Sequence, residues 1–137
     1  MARPGRPSRR RDSRKAVEEQ VFFAGASSLE KKADDVVVLD LRKVSDVSDF
    51  FLIAGGYTDI HVRAVAEHLI ESLKKKYGIN PWHVEGLENG SWVLLDYVDF
   101  VAHIFDTKAR DFYQLERLWA DAKSHRIADE MAAPSPD

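Results

Sequence analysis

The sequence predicts a single α/β domain of the α+β type, with helices flanking a mixed β-sheet of about five strands. Its 137 residues suit one domain with one hydrophobic core. Short β-branched and aromatic runs alternate with longer amphipathic segments, in the order α-β-β-α-β-β-β-α. Because this order requires both hairpin and crossover connections, we expect parallel and antiparallel strand pairs in one sheet.

The chain opens its ordered part with a helix and a buried strand. A helix is predicted over residues 16–32, where Val17, Val21 and Leu29 lie near one helical face. Residues 36–39 read Val-Val-Val-Leu, a β-branched apolar run that is typical of a buried strand. The polar stretch after this strand is expected to be a connection.

A second strand and a long helix follow. Residues 50–54 read Phe-Phe-Leu-Ile-Ala and predict a buried strand, which the next two glycines are expected to end. Residues 59–77 place apolar side chains at three- and four-residue intervals, so they predict an amphipathic helix. Thr58 can cap the start of this helix, and Gly78 is well placed to stop it.

The second half of the chain is predicted to add strands and one more helix. The three strands are expected over residues 82–85, 92–97 and 100–105. Only a few residues separate the last two, which indicates a hairpin around Val98-Asp99. A last helix should begin near Asp106 or Thr107 and end near Lys123.

Charge divides the chain into three regions. Residues 1–15 hold seven basic side chains and one acidic side chain, and we expect a disordered basic tail. It could contact RNA phosphates or merely add solubility; its prolines and glycine disfavour an amphipathic transit peptide. The folded domain is predicted over residues 16–125, and residues 126–137 are expected to be a loose C-terminal tail. Beyond residue 15 there are 13 basic and 22 acidic side chains, which favours a basic partner.

The sequence gives little support for catalysis. It contains no cysteine, no metal-binding histidine spacing and no Ser-centred nucleophile motif. The turn at residues 55–58 could hold an anion, but it lacks the Lys of a phosphate-binding loop, and a tight turn with a helix cap is favoured. Four aspartates lie at predicted strand ends: Asp40, Asp49, Asp96 and Asp99. Such aspartates more often form turns and caps than metal sites.

No run of apolar residues approaches the roughly 20 that a membrane helix needs, and no hydrophobic segment follows the basic start. We therefore expect a cytoplasmic protein.

Two aromatic residues are candidate interface anchors. Trp92 follows a predicted turn, so it could lie at the rim of the sheet. Tyr113 falls outside the apolar arc of the last predicted helix and has charged neighbours. Aromatic residues in such settings often anchor protein interfaces, although both could instead lie at the edge of the core.

Several motifs in this order resemble the ribosomal silencing factor family, also called the Iojap family. They are VVVLDLRKVSDVSDFFLIAGG, HVRAVAEHL, GSWVLLDYVDFVAHIF and ARDFYQLERLW, and the resemblance covers roughly residues 15–123. It implies a fold distantly similar to nucleotidyltransferases, but no enzymatic activity and no cofactor. It also implies binding to large-subunit ribosomal protein fourteen, which blocks joining of the small subunit and lowers translation when nutrients are scarce. Homodimers are common in this family.

The resemblance also suggests which residues face the partner. Trp92 and Tyr113 match its partner-facing aromatic positions. Further candidates near them are Glu85, Leu95, Asp96, His103 and Glu116. Two alternatives stay open: a divergent magnesium-dependent nucleotidyltransferase that uses Asp40, Asp49 or Asp96, and a dimeric adaptor with a partner outside the ribosome.

Two places depart from the family pattern: residues 55–58, where the family often has Gly-Thr-Ser or similar, and the hairpin turn. The family usually has Gly between the hairpin strands, where this chain has Val98. Because valine resists a positive φ, we expect either a different turn geometry or Val98 in the β region.

Overall fold

The computed structural model describes residues 11–46, 48–109, 117 and 120–127, with side chains from residue 15 onward. Two long helices and six strands account for most of these residues. In chain order they are α1 (Arg11–Glu30), β1 (Asp34–Asp40), β2 (Phe50–Gly56), α2 (Asp59–Tyr77), β3 (His83–Glu85), β4 (Trp92–Asp96), β5 (Phe100–Asp106) and β6 (Lys123–Arg126). Neither long helix is apolar enough over sufficient length to cross a membrane.

The six strands form one mixed sheet in the order β3-β4-β5-β2-β1-β6. Strands β2 and β5 are parallel, in register from Phe50 opposite Phe100 to Gly56 opposite Asp106. Every other neighbouring pair is antiparallel. The predicted α/β fold with a mixed sheet is therefore confirmed, although the sheet has one strand more than expected.

Both long helices pack on the same face of the sheet. The main core lies between them and the strands, and its largest side chains include Phe50, Phe100 and Leu69. A second, smaller cluster occupies the opposite face of the sheet and consists of Val37, Leu39, Leu41, Ile53 and Phe105. Ala109 and Ala122 pack against this smaller cluster. The two long helices therefore pack on the main core, whereas Ala109 and Ala122 are among the residues that pack on the smaller cluster.

Helix α2 has the predicted bounds because its ends carry strong local signals. The Thr58 side chain accepts a hydrogen bond from the His61 backbone N–H at 3.0 Å. Gly78 has a φ of 70° and donates its N–H to the Lys74 carbonyl. Because only glycine takes this left-handed conformation without strain, the helix stops where the sequence predicted.

The expected end of β2 is wrong, since the strand continues through both glycines. Gly55 and Gly56 pair with Phe105 and Asp106 in the parallel ladder. A Cβ atom added at Gly56 would lie 2.7 Å from Val62 Cγ2. Gly56 therefore marks a place where α2 approaches the strand closely, which a turn prediction does not distinguish from a strand end.

The predicted boundaries at both ends of the domain also need correction. Helix α1 begins at Arg11, so residues 11–15 of the expected disordered tail are helical. Once apolar packing stabilises the later turns of α1, arginine and lysine can extend the helix toward its N terminus, because both have good helix propensity. Composition alone does not reveal this extension. Residues 1–10 lie outside the described part of the chain.

The last predicted helix does not end at Lys123, because Lys123 begins β6. Residues 107–109 are helical, whereas residues 110–116 lie outside the described part. Arg126 belongs to β6, and the Ile127 N–H donates to the Val36 carbonyl at 2.8 Å. The loose C-terminal tail therefore cannot begin at residue 126. The backbone N–H and C=O groups along the free side of β1 can form β-ladder hydrogen bonds with any segment, so a polar segment becomes a strand here without an apolar pattern.

The hairpin between β4 and β5 is confirmed, but its turn is tighter than expected. Val98 has a φ of 76°, the conformation that glycine would take. The Asp99 N–H donates to the Tyr97 carbonyl at 2.9 Å, and the Val98 N–H donates to Asp96 Oδ1 at 2.7 Å. These bonds define a γ-turn centred on Val98, held in its rarer, strained form. The alternative that placed Val98 in the β region is therefore wrong.

Candidate functional site

The sheet face opposite the two long helices carries the candidate site. Successive side chains of a strand point to opposite faces, so Trp92, Leu94 and Asp96 share one face of β4. The register with β5 places Leu94 opposite His103. The register with β3 places Glu85 opposite Leu94. One surface therefore combines residues from three neighbouring strands.

An aromatic cluster forms the centre of this surface, and we call it the Trp92 cluster: Phe51, Trp92, His103 and Phe105. The Trp92 indole N–H donates to His103 Nδ1 at 3.1 Å. The Trp92 and Phe105 ring centroids lie 4.8 Å apart, and Phe51 meets the His103 ring edge-on at 4.5 Å. Trp92 remains half-buried, so its ring is fixed in place while part of it stays accessible.

His103 orients the tryptophan from beneath. It is only 5% exposed, and this burial lowers the pKa of its imidazole to about 4. Since an indole nitrogen only donates, Nδ1 must accept and the neutral ring carries its proton on Nε2. Within the described part of the chain, no acceptor reaches that buried Nε2. A neutral His103 therefore holds the Trp92 side chain in its observed orientation.

Two of the predicted acidic residues flank the cluster. Glu85 is exposed, and its Oε2 lies 2.7 Å from His83 Nε2. Asp96 is half-buried and accepts the Val98 N–H. Both belong to the surface that carries Trp92, because their strands pair in the register given above. The structure thus brings together four of the seven predicted partner-facing residues.

The remaining three predicted residues do not belong to this described surface. Leu95 is fully buried in the main core beneath the helices, because its neighbours Leu94 and Asp96 point the other way. Its inclusion as a surface contact is therefore wrong. Leu94, half-buried between Trp92 and Asp96, takes its place and was missed, although the strand alternation alone could have identified it. Tyr113 and Glu116 lie outside the described residues.

The aspartates of the enzymatic alternative are engaged in local structure. Asp40 accepts two hydrogen bonds from the Arg42 guanidinium, at 2.9 and 2.6 Å. Arg42 thereby lowers the pKa of the Asp40 carboxyl group. Asp49 is buried at the start of β2, and its backbone N–H donates to the Asp99 carbonyl. In the described part of the chain, no three acidic or histidine side chains converge as a metal site would require.

The glycine-containing turn before α2 also satisfies its own polar groups. The Tyr57 N–H donates to His61 Nδ1 at 3.0 Å, and Thr58 Oγ1 accepts from the His61 N–H. These contacts occupy two backbone donors that an anion would need. The turn therefore serves as a helix cap, as the sequence favoured.

The fold and this surface define a small α/β domain that presents an aromatic centre on the sheet face opposite its two long helices. A family model described as "ribosomal silencing factor during starvation" matches residues 14–137. A ribosomal silencing factor of Halalkalibacterium halodurans is 41% identical over 93 residues, which are 68% of this chain and 79% of that protein. The chain belongs to the ribosomal silencing factor family, whose role is to regulate translation at the ribosome.

Two further relatives extend the comparison. A crystal structure of a Chromobacterium violaceum protein superimposes with a TM-score of 0.69 at 28% identity, and covers 83% of this chain and 92% of that one. The mouse protein named "mitochondrial assembly of ribosomal large subunit protein 1" is 27% identical over 92 residues, 66% of this chain and 40% of its own length. The fold is thus shared with a solved structure, and part of the chain is similar to part of a protein whose name is mitochondrial.

Proposed function

We propose that this protein binds the large ribosomal subunit through large-subunit ribosomal protein fourteen and sterically blocks joining of the small subunit. It thereby represses translation when nutrients are limiting. Membership of the ribosomal silencing factor family supports the ribosomal role. The mouse relative, whose name refers to the ribosomal large subunit, supports the choice of subunit. The cytoplasm is the corresponding site of action.

The Trp92 cluster is the observation that carries this proposal. A half-buried tryptophan fixed by a hydrogen bond loses little conformational freedom on binding, which favours its use as an anchor. Leu94 extends the apolar centre, while Glu85 and Asp96 supply negative charge around it. An apolar centre with a charged rim is the usual composition of a protein interface.

Charge favours a basic partner for this face. Beyond residue 15 the chain has nine more acidic than basic side chains. Glu85 and Asp96 place part of that excess beside the anchor. Complementary charge accelerates encounter and fixes orientation, while the desolvated aromatic contact supplies most of the affinity.

To block subunit joining, the bound domain only has to occupy space that the small subunit needs. Six strands spaced about 4.8 Å apart make a sheet roughly 24 Å wide. A domain of that size, fixed to the joining face of the large subunit, would occupy space that the small subunit needs. The mechanism consumes no cofactor or energy.

Co-sedimentation with purified large subunits tests the proposed face. We expect Trp92→Ala to weaken binding by about 30-fold, because truncation of a central aromatic anchor typically costs about 2 kcal/mol. The matched control is Trp82→Ala. Trp82 is 58% exposed and immediately precedes β3, where strand alternation directs it away from the face that carries His83.

Subunit joining gives the second measurement. Wild-type protein and Trp82→Ala should reduce the fraction of joined ribosomes in a gradient, whereas Trp92→Ala should leave joining nearly unchanged. Thermal unfolding of each variant identifies any loss that reflects misfolding. Equal binding of wild type and Trp92→Ala would reject the assigned face, and joining that proceeds despite bound protein would reject the blocking mechanism.

A further inference from the structure

An open groove of about 460 Å³ lies where β1 leaves the sheet and β6 enters it, away from the Trp92 cluster. Asp40 at the end of β1 pairs with Lys123 at the start of β6, and the loop after β1 forms the other wall. Its lining comprises Asp40, Arg42, Lys43, Val44, Asp121 and Lys123. We call this site the β6 groove. Neither the proposed protein-binding face nor its mechanism uses it.

The lining of the β6 groove has three basic and two acidic side chains. Arg42 binds the Asp40 carboxylate through two hydrogen bonds, which neutralises that charge and fixes the guanidinium at the wall. Lys43 and Lys123 are both exposed. In the described residues, no carboxylate lies within salt-bridge distance of either ammonium group. Asp121 is the remaining acidic residue of the lining.

Helix α1 lies beside one side of the groove. Arg42 Nη1 lies 3.6 Å from Glu18 Oε1, which places the N-terminal half of α1 beside the groove. Lys15 is exposed one turn earlier in that helix. The sequence up to this lysine has a net charge of +6. Lys15 therefore adds a described positive charge on α1, one turn away from the acidic contact residue Glu18.

We propose that the β6 groove binds the phosphate backbone of RNA, and on the proposed function this is ribosomal RNA beside the protein docking site. The folded domain, and not only its basic N-terminal segment, then contributes to RNA binding. Exposed lysines in an open groove suit a chain of regularly spaced phosphates, which are contacted without base recognition.

The placement of the groove relative to the Trp92 cluster supports this assignment. Glu85 and Asp96 lie on strands at one edge of the sheet, whereas Lys123 lies on the strand at the opposite edge. On a particle made of basic protein and RNA, the basic protein would match the edge with Glu85 and Asp96, and the RNA phosphates would match the edge with Lys123. Two contacts on opposite edges would fix the orientation of the domain as well as its position.

Binding to a fluorescein-labelled RNA hairpin tests the proposal without any ribosomal protein. The full-length chain is compared with Lys43→Gln/Lys123→Gln and with the control Lys74→Gln/Lys75→Gln. The control removes the same charge from two exposed lysines in the last turn of α2. Fluorescence anisotropy is measured over a series of salt concentrations, and thermal unfolding verifies that both variants are folded.

We expect the groove variant to bind RNA about tenfold more weakly and to lower the salt slope by about two, one for each lost phosphate contact. The control should change affinity by less than about threefold. Unchanged RNA affinity in the groove variant would overturn the proposal, as would equal losses in both variants. Binding of polyglutamate in preference to RNA would also overturn it and indicate an acidic protein partner.

The same assay separates this proposal from the proposed function. Trp92→Ala should bind the hairpin as well as wild type does, because Trp92 lies on another part of the sheet. If Trp92→Ala retains binding to large subunits but the groove variant loses RNA binding, only the assignment of the protein-binding face is rejected. If Trp92→Ala loses binding to large subunits but the groove variant retains RNA binding, only the RNA-binding role of the groove is rejected.

Discussion

The buried histidine beneath Trp92 should make the stability of the domain depend on pH in the mildly acidic range. Burial lowers the pKa of His103 from 6.5 to about 4 in the folded state. Below pH 6.5 the unfolded chain takes up a proton on this residue that the folded chain does not. Stability is therefore fully present above the unfolded pKa and falls as the pH decreases toward the folded pKa.

The size of this effect follows from the pKa difference. At about pH 5, the preferential protonation of the unfolded state costs about 2 kcal/mol relative to about pH 7.5. The loss approaches about 3 kcal/mol near the folded pKa. Asp40 acts in a lower range, because its folded pKa is depressed and its contribution falls only as the pH decreases below the carboxylate's ordinary value of 3.8.

Urea unfolding at several pH values, with wild type and His103→Asn, measures this contribution. Asparagine does not titrate, and its side-chain oxygen offers an acceptor near the Nδ1 position for the Trp92 indole. The variant should be less stable than wild type at neutral pH because asparagine fills the site less well. Between about pH 7.5 and pH 5, however, its free energy of unfolding should decrease by about 2 kcal/mol less than that of wild type. Parallel pH profiles for the two proteins would refute the reasoning.

Two further substitutions test the backbone. Val98→Gly should stabilise the domain by about 1 kcal/mol, because it removes left-handed strain from the γ-turn but adds unfolded-state entropy. Val98→Ala, which retains the positive φ, is its control, and a less stable glycine variant in thermal unfolding would contradict the strained turn. Thr58→Ala should cost about 1 kcal/mol by removing the cap of α2, whereas Thr58→Ser should cost less because it retains the hydroxyl. Equal stability of the alanine variant in urea would show that the cap contributes nothing.

The sequence predicted the elements whose local signals agree with their tertiary packing. Helix α2 has a cap, a regular apolar stripe and a glycine stop, and its bounds were predicted correctly. The strands near residues 36–39 and 50–54 were recognisable because both are apolar runs. Strand β6 was missed, since Lys-Ser-His-Arg has neither apolar content nor alternation and becomes a strand only by pairing with β1.

The candidate site was predicted less completely, because its geometry depends on contacts between strands. Sequence patterns singled out Trp92, but the register that joins it to His103 and Phe51 is a tertiary property. Leu95 was assigned to the surface through resemblance, although the alternation of β4 places Leu94 there. The turn at Val98 was also beyond prediction, because hydrogen bonds from neighbouring segments impose a conformation that valine disfavours.

Strand β6 has a protective consequence for the rest of the sheet. Without it, β1 would become an edge strand, and the apolar run Val36–Leu39 would present unpaired backbone groups to other molecules. Such segments readily template intermolecular β-structure. The residues that cover this edge are polar and exposed, so the outermost strand resists further addition of strands. A chain truncated before Lys123 should therefore tend to aggregate, although nearly all of its hydrophobic core would still be present.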